Sequence, residues 1–273
     1  MDKLIFGISG LPMGNGSEKF TYVTGIEYLH SLGLSAMELP FVRSVNITDK
    51  NREAVKATRE KYNFHLTAHG SYFINMNAKE IDKKEKSIER LEKGIVALSS
   101  VGGTDIIFHP GFYLDSTKED AYNSINEELG KLPIIPGSYY RLETTGKETQ
   151  FGNLKELCNL VKNHEHVKLC VDFSHIHARY NGILKEYDDF AKIFEFIGEH
   201  LGEDALKDFH VHLSGIEYTA KGEKNHLPFE ESDFNITECL RAFVKYDVKG
   251  CIICESQIQK KDALLMKNIY ENI

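Results

Sequence analysis

The apolar residues of this chain gather into eight short runs separated by helix-like sequence. The runs are Leu4 to Ile8, Ala36 to Leu39, Phe64 to Ala68, Ile106 to Phe108, Tyr139 to Leu142, Val167 to Val171, Phe209 to Val211, and Cys251 to Cys254. Several are rich in Val, Ile, Leu and Phe, as buried strands are. The sequence between them predicts helices. The first is capped at Ser17 and runs to about Ser31; then come Lys50 to Lys61, Lys79 to Ser100, Lys118 to Leu132, Leu154 to Asn163, Tyr187 to Leu201, Ile236 to Lys245 and Lys261 to Asn272. Gly102-Gly103, Pro133 and Pro136 punctuate the pattern before the fourth and fifth runs. Eight strand–helix units predict a (β/α)8 TIM barrel, whose strand C-termini all meet at one mouth. Ser214 to Asn235 reads as a long loop, of the kind that carries function in compact domains.

The 273 residues, 41% of them hydrophobic, suit a single barrel domain spanning 1–273. No apolar run nears the ~18 residues of a membrane helix. The first residues lack the apolar length of a signal peptide. A cytoplasmic monomer with no membrane partner is the expectation. The five Cys are odd in number and widely spaced, which argues against a disulfide framework. Cys251 and Cys254, three apart on a strand, face opposite sides and read as packed core.

Six of the runs lead into a metal-binding residue: His69, His109, Glu143, Asp172, His212 and Glu255. In a barrel these converge at the mouth. Charges of one kind crowded there are costly, and divalent cations remove the cost. Mixed imidazole and carboxylate donors suit zinc, with manganese or iron as alternatives. A carboxylate can bridge two ions, and paired ions about 3.5–4 Å apart are the usual machinery for displacement at phosphorus. His175, in Asp172-Phe173-Ser174-His175, and His226 lie just beyond strand ends. Glu38 also ends a strand and reads as a polar barrel residue or a substrate contact. His65 and His210 read as buried, hydrogen-bonded residues.

These residues resemble the endonuclease IV family, metal-dependent apurinic/apyrimidinic endonucleases of the xylose isomerase-like barrel superfamily. The resemblance runs from about Phe64 to Ser256. It rests on His69-Gly70-Ser71-Tyr72-Phe73-Ile74-Asn75, Phe108-His109-Pro110-Gly111, Glu143-Thr144-Thr145-Gly146, Val171-Asp172-Phe173-Ser174-His175, Val211-His212-Leu213 and Glu255-Ser256. It implies two to three zinc ions. His69 and His109 would hold the first, and Glu143 would bridge to a second held by Asp172, His212 and Glu255. His175 would hold a third with a D-x-H pair from the loop after strand seven. Here the chain departs from the pattern. His226 matches the pair's His, but Lys224 stands two residues before it. The nearest acid is Glu223, so the third site is either rebuilt on Glu223 or weakened. The loop after strand two, Pro40 to Asp49, is shorter than the family's and carries Arg43. Tyr72 matches the family's DNA-inserting tyrosine.

The function implied is hydrolysis of DNA 5′ to abasic sites, with damaged duplex DNA as partner. Glu143 and Glu255 are the candidate catalytic residues. Tyr72, Arg43, Lys147 and Arg179 are the candidate substrate contacts, with Lys221 and Lys224 in the same loops. The net charge of −8 supplies no basic footprint of its own. Two alternatives stand beside this reading. One is a divalent-metal sugar isomerase or epimerase, whose single ion would leave His69, His109 and His175 unexplained. The other is a non-catalytic damaged-DNA binder.

Overall fold

Eight parallel strands close into a barrel in the computed structural model, which describes residues 3–14 and 19–273. The strands are Leu4–Ser9, Ala36–Pro40, His65–His69, Asp105–Phe108, Tyr139–Glu143, Val167–Asp172, Phe209–Leu213 and Gly250–Cys254. Each pairs with its neighbours in chain order, and the last closes on the first, with Ile8 beside Cys254. The eight apolar runs are these strands. The fold is a TIM barrel, and its register sets Glu143 beside Cys170 and Asp172 beside His212.

The helices follow the predicted pattern. Ile81–Ser99 buries Leu91, Ile95 and Leu98 on one face. Gly94, on the same face, lets Ile106 approach: a Cβ there would sit 2.6 Å from Ile106 Cδ1. Ile236–Lys245 buries Ile236, Cys239, Leu240 and Phe243, the spacing of a helix with one inward stripe. The first helix spans Tyr22–Ser31 and is capped by Thr21, whose hydroxyl accepts from the Thr24 amide at 3.2 Å. Ser17, the expected cap, lies outside the described residues. Among the described residues no helix is long and apolar enough to cross a membrane. All five Cys are buried and free.

Two elements differ from expectation. Phe173–Arg179 is a short helix directly after strand six. The segment read as one long loop contains a hairpin, Gly215–Thr219 with Gly222–Leu227. A two-stranded antiparallel ribbon pairs Gly111–Phe112 with Gln150–Phe151 and ties the loops after strands four and five.

The barrel interior is polar at both ends. At the base, Arg141 donates to the carbonyls of Leu169 and Asp208 at 3.2 and 3.0 Å, to the Asp208 carboxylate at 3.1 Å, and faces Asp105 at 3.3 Å. His210 is hydrogen-bonded as expected, to Glu38 at 3.0 Å. His65 is not: its buried Nε2 has no partner, and burial pushes its imidazole down to about 4.

Strand eight begins at a crowded point. Gly250 has φ +134°, and a Cβ there would lie 1.9 Å from the Phe209 carbonyl oxygen. Gly250→Ala therefore meets both backbone strain and a backbone clash. It is expected to lower unfolding free energy by roughly 2 kcal/mol or more, with an unchanged denaturant slope. Urea titration followed by circular dichroism checks this; a change below ~0.5 kcal/mol would contradict the packing described.

Candidate metal centre

Glu143 is the last residue of strand five and is wholly buried at the mouth. Its two oxygens face different partners. Oε2 lies 3.1 Å from His69 Nε2 and 3.4 Å from His109 Nε2. Oε1 lies 3.0 Å from His212 Nδ1 and 3.3 Å from His175 Nδ1. At the mouth the donors fall into three sets able to hold an ion: His69, His109 and Glu143; Glu143, Asp172, His212 and Glu255; and Asp172, His175 and His226; a fourth group, Cys170, His210 and His212, lies deeper in the barrel. Glu143 belongs to the first two sets, and Asp172 to the second and third. All eight ligand-type residues expected from the sequence come together here.

Local structure explains the D-x-x-H spacing. Asp172 ends strand six and also caps the helix Phe173–Arg179, with Oδ1 accepting from the His175 amide at 2.7 Å. A cap brings residues i and i+3 together, so His175 is delivered beside Asp172. Thr144 fixes the level of this turn. Its hydroxyl accepts from the Asp172 amide at 2.8 Å and donates to the Asp172 carbonyl at 3.1 Å. Sequence reasoning did not single out Thr144, since a neutral hydroxyl carries no ligand signal.

Three imidazoles are oriented alike. Nδ1 of His69, His175 and His226 reaches the carbonyl oxygens of Gly70, Thr144 and Glu255, at 2.9, 3.0 and 3.0 Å. With Nδ1–H donated to a carbonyl, the neutral ring presents its Nε2 lone pair to a cation. The Nε2 atoms of His175 and His226 then face each other at 3.4 Å, an arrangement that calls for a cation between them. Asp172 Oδ2 is buried and accepts no hydrogen bond. This donor set, with Asp172 Oδ2 left unpaired, fits a metal.

The electrostatics agree. Burial alone would lift the Glu143 carboxyl, but the imidazoles around it outweigh burial and hold it well below the usual range. Burial pushes Asp172 up to about 6, with Glu143 and Glu255 adding to the effect against His175. Burial opposes a charge on His69, yet Glu143 raises it to about 9; His109, less favoured, is pushed down to about 4 by burial. Buried acids and imidazoles crowded this closely are groups that divalent ions would neutralise.

The third set contains the chain's departure from the resembled pattern. In the hairpin Asn225 pairs with Glu217 and Glu223 pairs with Tyr218, so Lys224 is a bulged extra residue. Its ammonium turns away to Glu217 at 2.5 Å. The bulge re-aims the strand and brings Glu223 inward, 3.6 Å from His175 Nε2. Glu223 thus lies against the third set, whose grouped donors are Asp172, His175 and His226. The hairpin is seated by the Glu223 amide donating to the Gly146 carbonyl at 3.0 Å.

The candidate substrate contacts divide. Tyr72 is 67% exposed at the rim, its ring 6.0 Å from that of His69. Arg43 is exposed and Lys147 half-buried. Arg179 is different and corrects the expectation of a phosphate contact. It is 6% exposed, and one guanidinium nitrogen donates to Thr145 Oγ1 at 2.7 Å and to the carbonyls of Lys147 and Gln150. It pins the loop after strand five from below. Glu38 lies beneath the centre, fully buried, and is a polar barrel residue rather than a substrate contact. Ser9, Pro40, Val42, Tyr72 and the ligands enclose a cavity of about 200 Å³ above the cluster.

Residues 26–269 match the family model described as "Xylose isomerase-like TIM barrel". The chain belongs to that family. An "uncharacterized protein" of Methanocaldococcus jannaschii is 40% identical over 99% of this chain and 98% of its own length. A "Probable endonuclease 4" of Staphylococcus carnosus is 29% identical over 69% of this chain and 67% of its own. Among solved structures, endonuclease IV from Thermus thermophilus aligns with TM-score 0.77 at 18% identity, over 98% of this chain and all of its own. A D-tagatose 3-epimerase-like protein aligns with TM-score 0.75 at 17% identity, over 98% and 96%. At these identities the two structures speak for the xylose isomerase-like barrel fold alone.

A Cβ at Gly146 would lie 2.6 Å from Glu223 Oε2 and 3.2 Å from His175 Cδ2. Gly146→Ala is thus expected to push the hairpin off the third set while sparing the other two. Elemental analysis should give about one metal ion fewer per chain than the parent, with thermal stability little changed. Equal metal content in the two proteins would count against Glu223 as part of the centre.

Proposed function

We propose that this protein is a metal-dependent phosphodiesterase that hydrolyses duplex DNA 5′ to abasic sites. The observation that carries the reading is the division of Glu143, one oxygen toward His69 and His109 and the other toward His212. A single ion on Glu143, Asp172, His212 and Glu255 would leave His69, His109, His175 and His226 without purpose. Multinuclear clusters of this composition suit displacement at phosphorus. The likeness to proteins named endonuclease 4 supports the same substrate.

His69 and His109 would hold one ion, Asp172, His212 and Glu255 a second, and His175 with His226 and Glu223 a third. Bound zinc would acidify water and neutralise charge growing on the leaving 3′ oxygen. The chain's own contribution is positional. Glu143 keeps the first two sets at a fixed separation, and the carbonyls of Gly70, Thr144 and Glu255 hold three imidazoles in the ligating tautomer. Tyr72 and Arg43 stand at the rim for the sugar-phosphate backbone, and Lys147 beside Glu223 offers a phosphate contact. Concentrating cationic character at the metals lets an acidic chain bind a polyanion.

Sugar epimerisation is the second reading, favoured by the four-donor set shared by Glu143, Asp172, His212 and Glu255 and by the epimerase-like structural neighbour. A duplex carrying one tetrahydrofuran abasic analogue separates them. Hydrolysis should leave a 3′-hydroxyl and a 5′-tetrahydrofuran phosphate terminus; a natural abasic site should give a 5′-deoxyribose phosphate with no borohydride-trappable adduct. Metal-loaded protein that leaves this duplex intact and epimerises a ketose would overturn the proposal.

Undialysed protein is expected to contain at least two transition-metal ions per chain. One ion or fewer, with no gain on adding Zn²⁺ or Mn²⁺, defeats the multinuclear reading. Glu143→Gln keeps the shape and removes the charge that two ion sites share. Turnover should fall at least ~10²-fold, with duplex binding changed much less. Near-native turnover and metal content in this variant would make Glu143 a structural residue.

A further inference from the structure

His212 is turned the opposite way from the three carbonyl-bound imidazoles. Its Nδ1 faces the centre, 3.0 Å from Glu143 Oε1 and 3.7 Å from Glu255 Oε2. Its Nε2 points down into the barrel, 3.2 Å from Glu38 Oε2. Glu38 comes from strand two, which contributes no metal-type ligand to the mouth cluster. It is wholly buried, and the same oxygen accepts from Thr67 Oγ1 at 3.1 Å and His210 Nε2 at 3.0 Å. All three groups converge on Oε2, while Oε1 is buried without a partner, so the carboxylate is fixed in place through one oxygen that accepts.

We infer that Glu38 is a positioning residue for the metal centre: it holds the Nε2–H tautomer of His212 and so presents Nδ1 as that residue's ligating atom. An ionised carboxylate accepts hydrogen bonds and donates none, so the ring nitrogen facing Glu38 carries the proton. The opposite nitrogen is then a lone pair aimed at Glu143 and Glu255. The negative charge also makes the imidazole a stronger donor to a cation, as carboxylates behind ligating histidines do. Thr67 and His210 keep Glu38 at the level of His212. The inference rests on the metal-centre reading above, yet concerns a residue that touches neither metal nor substrate.

The test reads the imidazole and the metal without DNA. Long-range ¹H–¹⁵N correlation spectra of ¹⁵N-histidine-labelled protein, with and without zinc, report each tautomer. The His212 signals are assigned by comparison with a His212→Asn protein. His212 should be protonated at Nε2 in both states, while His69, His175 and His226 are protonated at Nδ1 when zinc is bound. Chelator competition should then give zinc affinity for the weakest-held ion reduced about 10- to 100-fold in Glu38→Gln, which keeps the hydrogen bond but not the charge. Glu38→Ala should lose at least as much, and Thr67→Val should stay within about threefold. His212 protonated at Nδ1 rather than Nε2 in the zinc-bound protein overturns the inference, as does unchanged zinc affinity in folded Glu38→Gln. Cys170 lies close to His210 and His212. A zinc ion lost in Cys170→Ser would also overturn it, because Nε2 of His212 would then be a ligand of a deeper ion rather than a donor to Glu38. A protein with the expected tautomers and affinities that cleaves no abasic duplex upholds Glu38 and rejects the nuclease reading.

Discussion

The mouth of this barrel depends on one carboxylate buried among four imidazoles. Glu143 can sit there, ionised and out of water, only because positive or proton-bearing groups approach both of its oxygens. The surrounding architecture serves that requirement. Strand register places Asp172 beside His212 and the strand that ends in Glu143 between those that lead to His109 and Asp172. Thr144 ties the ends of strands five and six, so the spacing between carboxylates is set by backbone rather than by flexible side chains.

Asp172 links this cluster to the outer structure. One oxygen caps the helix Phe173–Arg179, while the other is left for the centre. That short helix carries His175 at its start and Arg179 at its end. Arg179 in turn grips Thr145, Lys147 and Gln150, and Gly146 in the same loop receives the hairpin bearing Glu223 and His226. The third donor set is therefore assembled through a relay of contacts that begins on a ligand of the second. Loosening of the helix would be felt at both sets.

Much of this was legible in the sequence because it is local. The eight strands and their helices follow from short-range periodicity, and the ligands stand at or just past strand ends, where the barrel must gather them. What could not be read depends on side-chain direction and on distant partners. Arg179 has the composition of a phosphate contact, but it points inward, toward carbonyls about thirty residues away in the chain. Glu38 reads as an isolated acid at a strand end, since its partners His210 and His212 come from across the barrel. Phe173–Arg179 is too short to leave a periodic signature. The missing partner of His65 is equally invisible in sequence, because an imidazole in a strand carries no mark of what it will face.

The bulge at Lys224 means that ligand identity and residue count are uncoupled on this hairpin. Compared position by position, the chain has exchanged an acid for a lysine and lost a donor. In space, Lys224 bulges outward to Glu217 and Glu223 faces the His175 imidazole. A two-stranded arm held at its root can absorb an insertion that a barrel strand, locked between neighbours on both sides, cannot. A search for an acid two residues before His226 therefore meets Lys224, although Glu223, one residue further back, lines the same cavity.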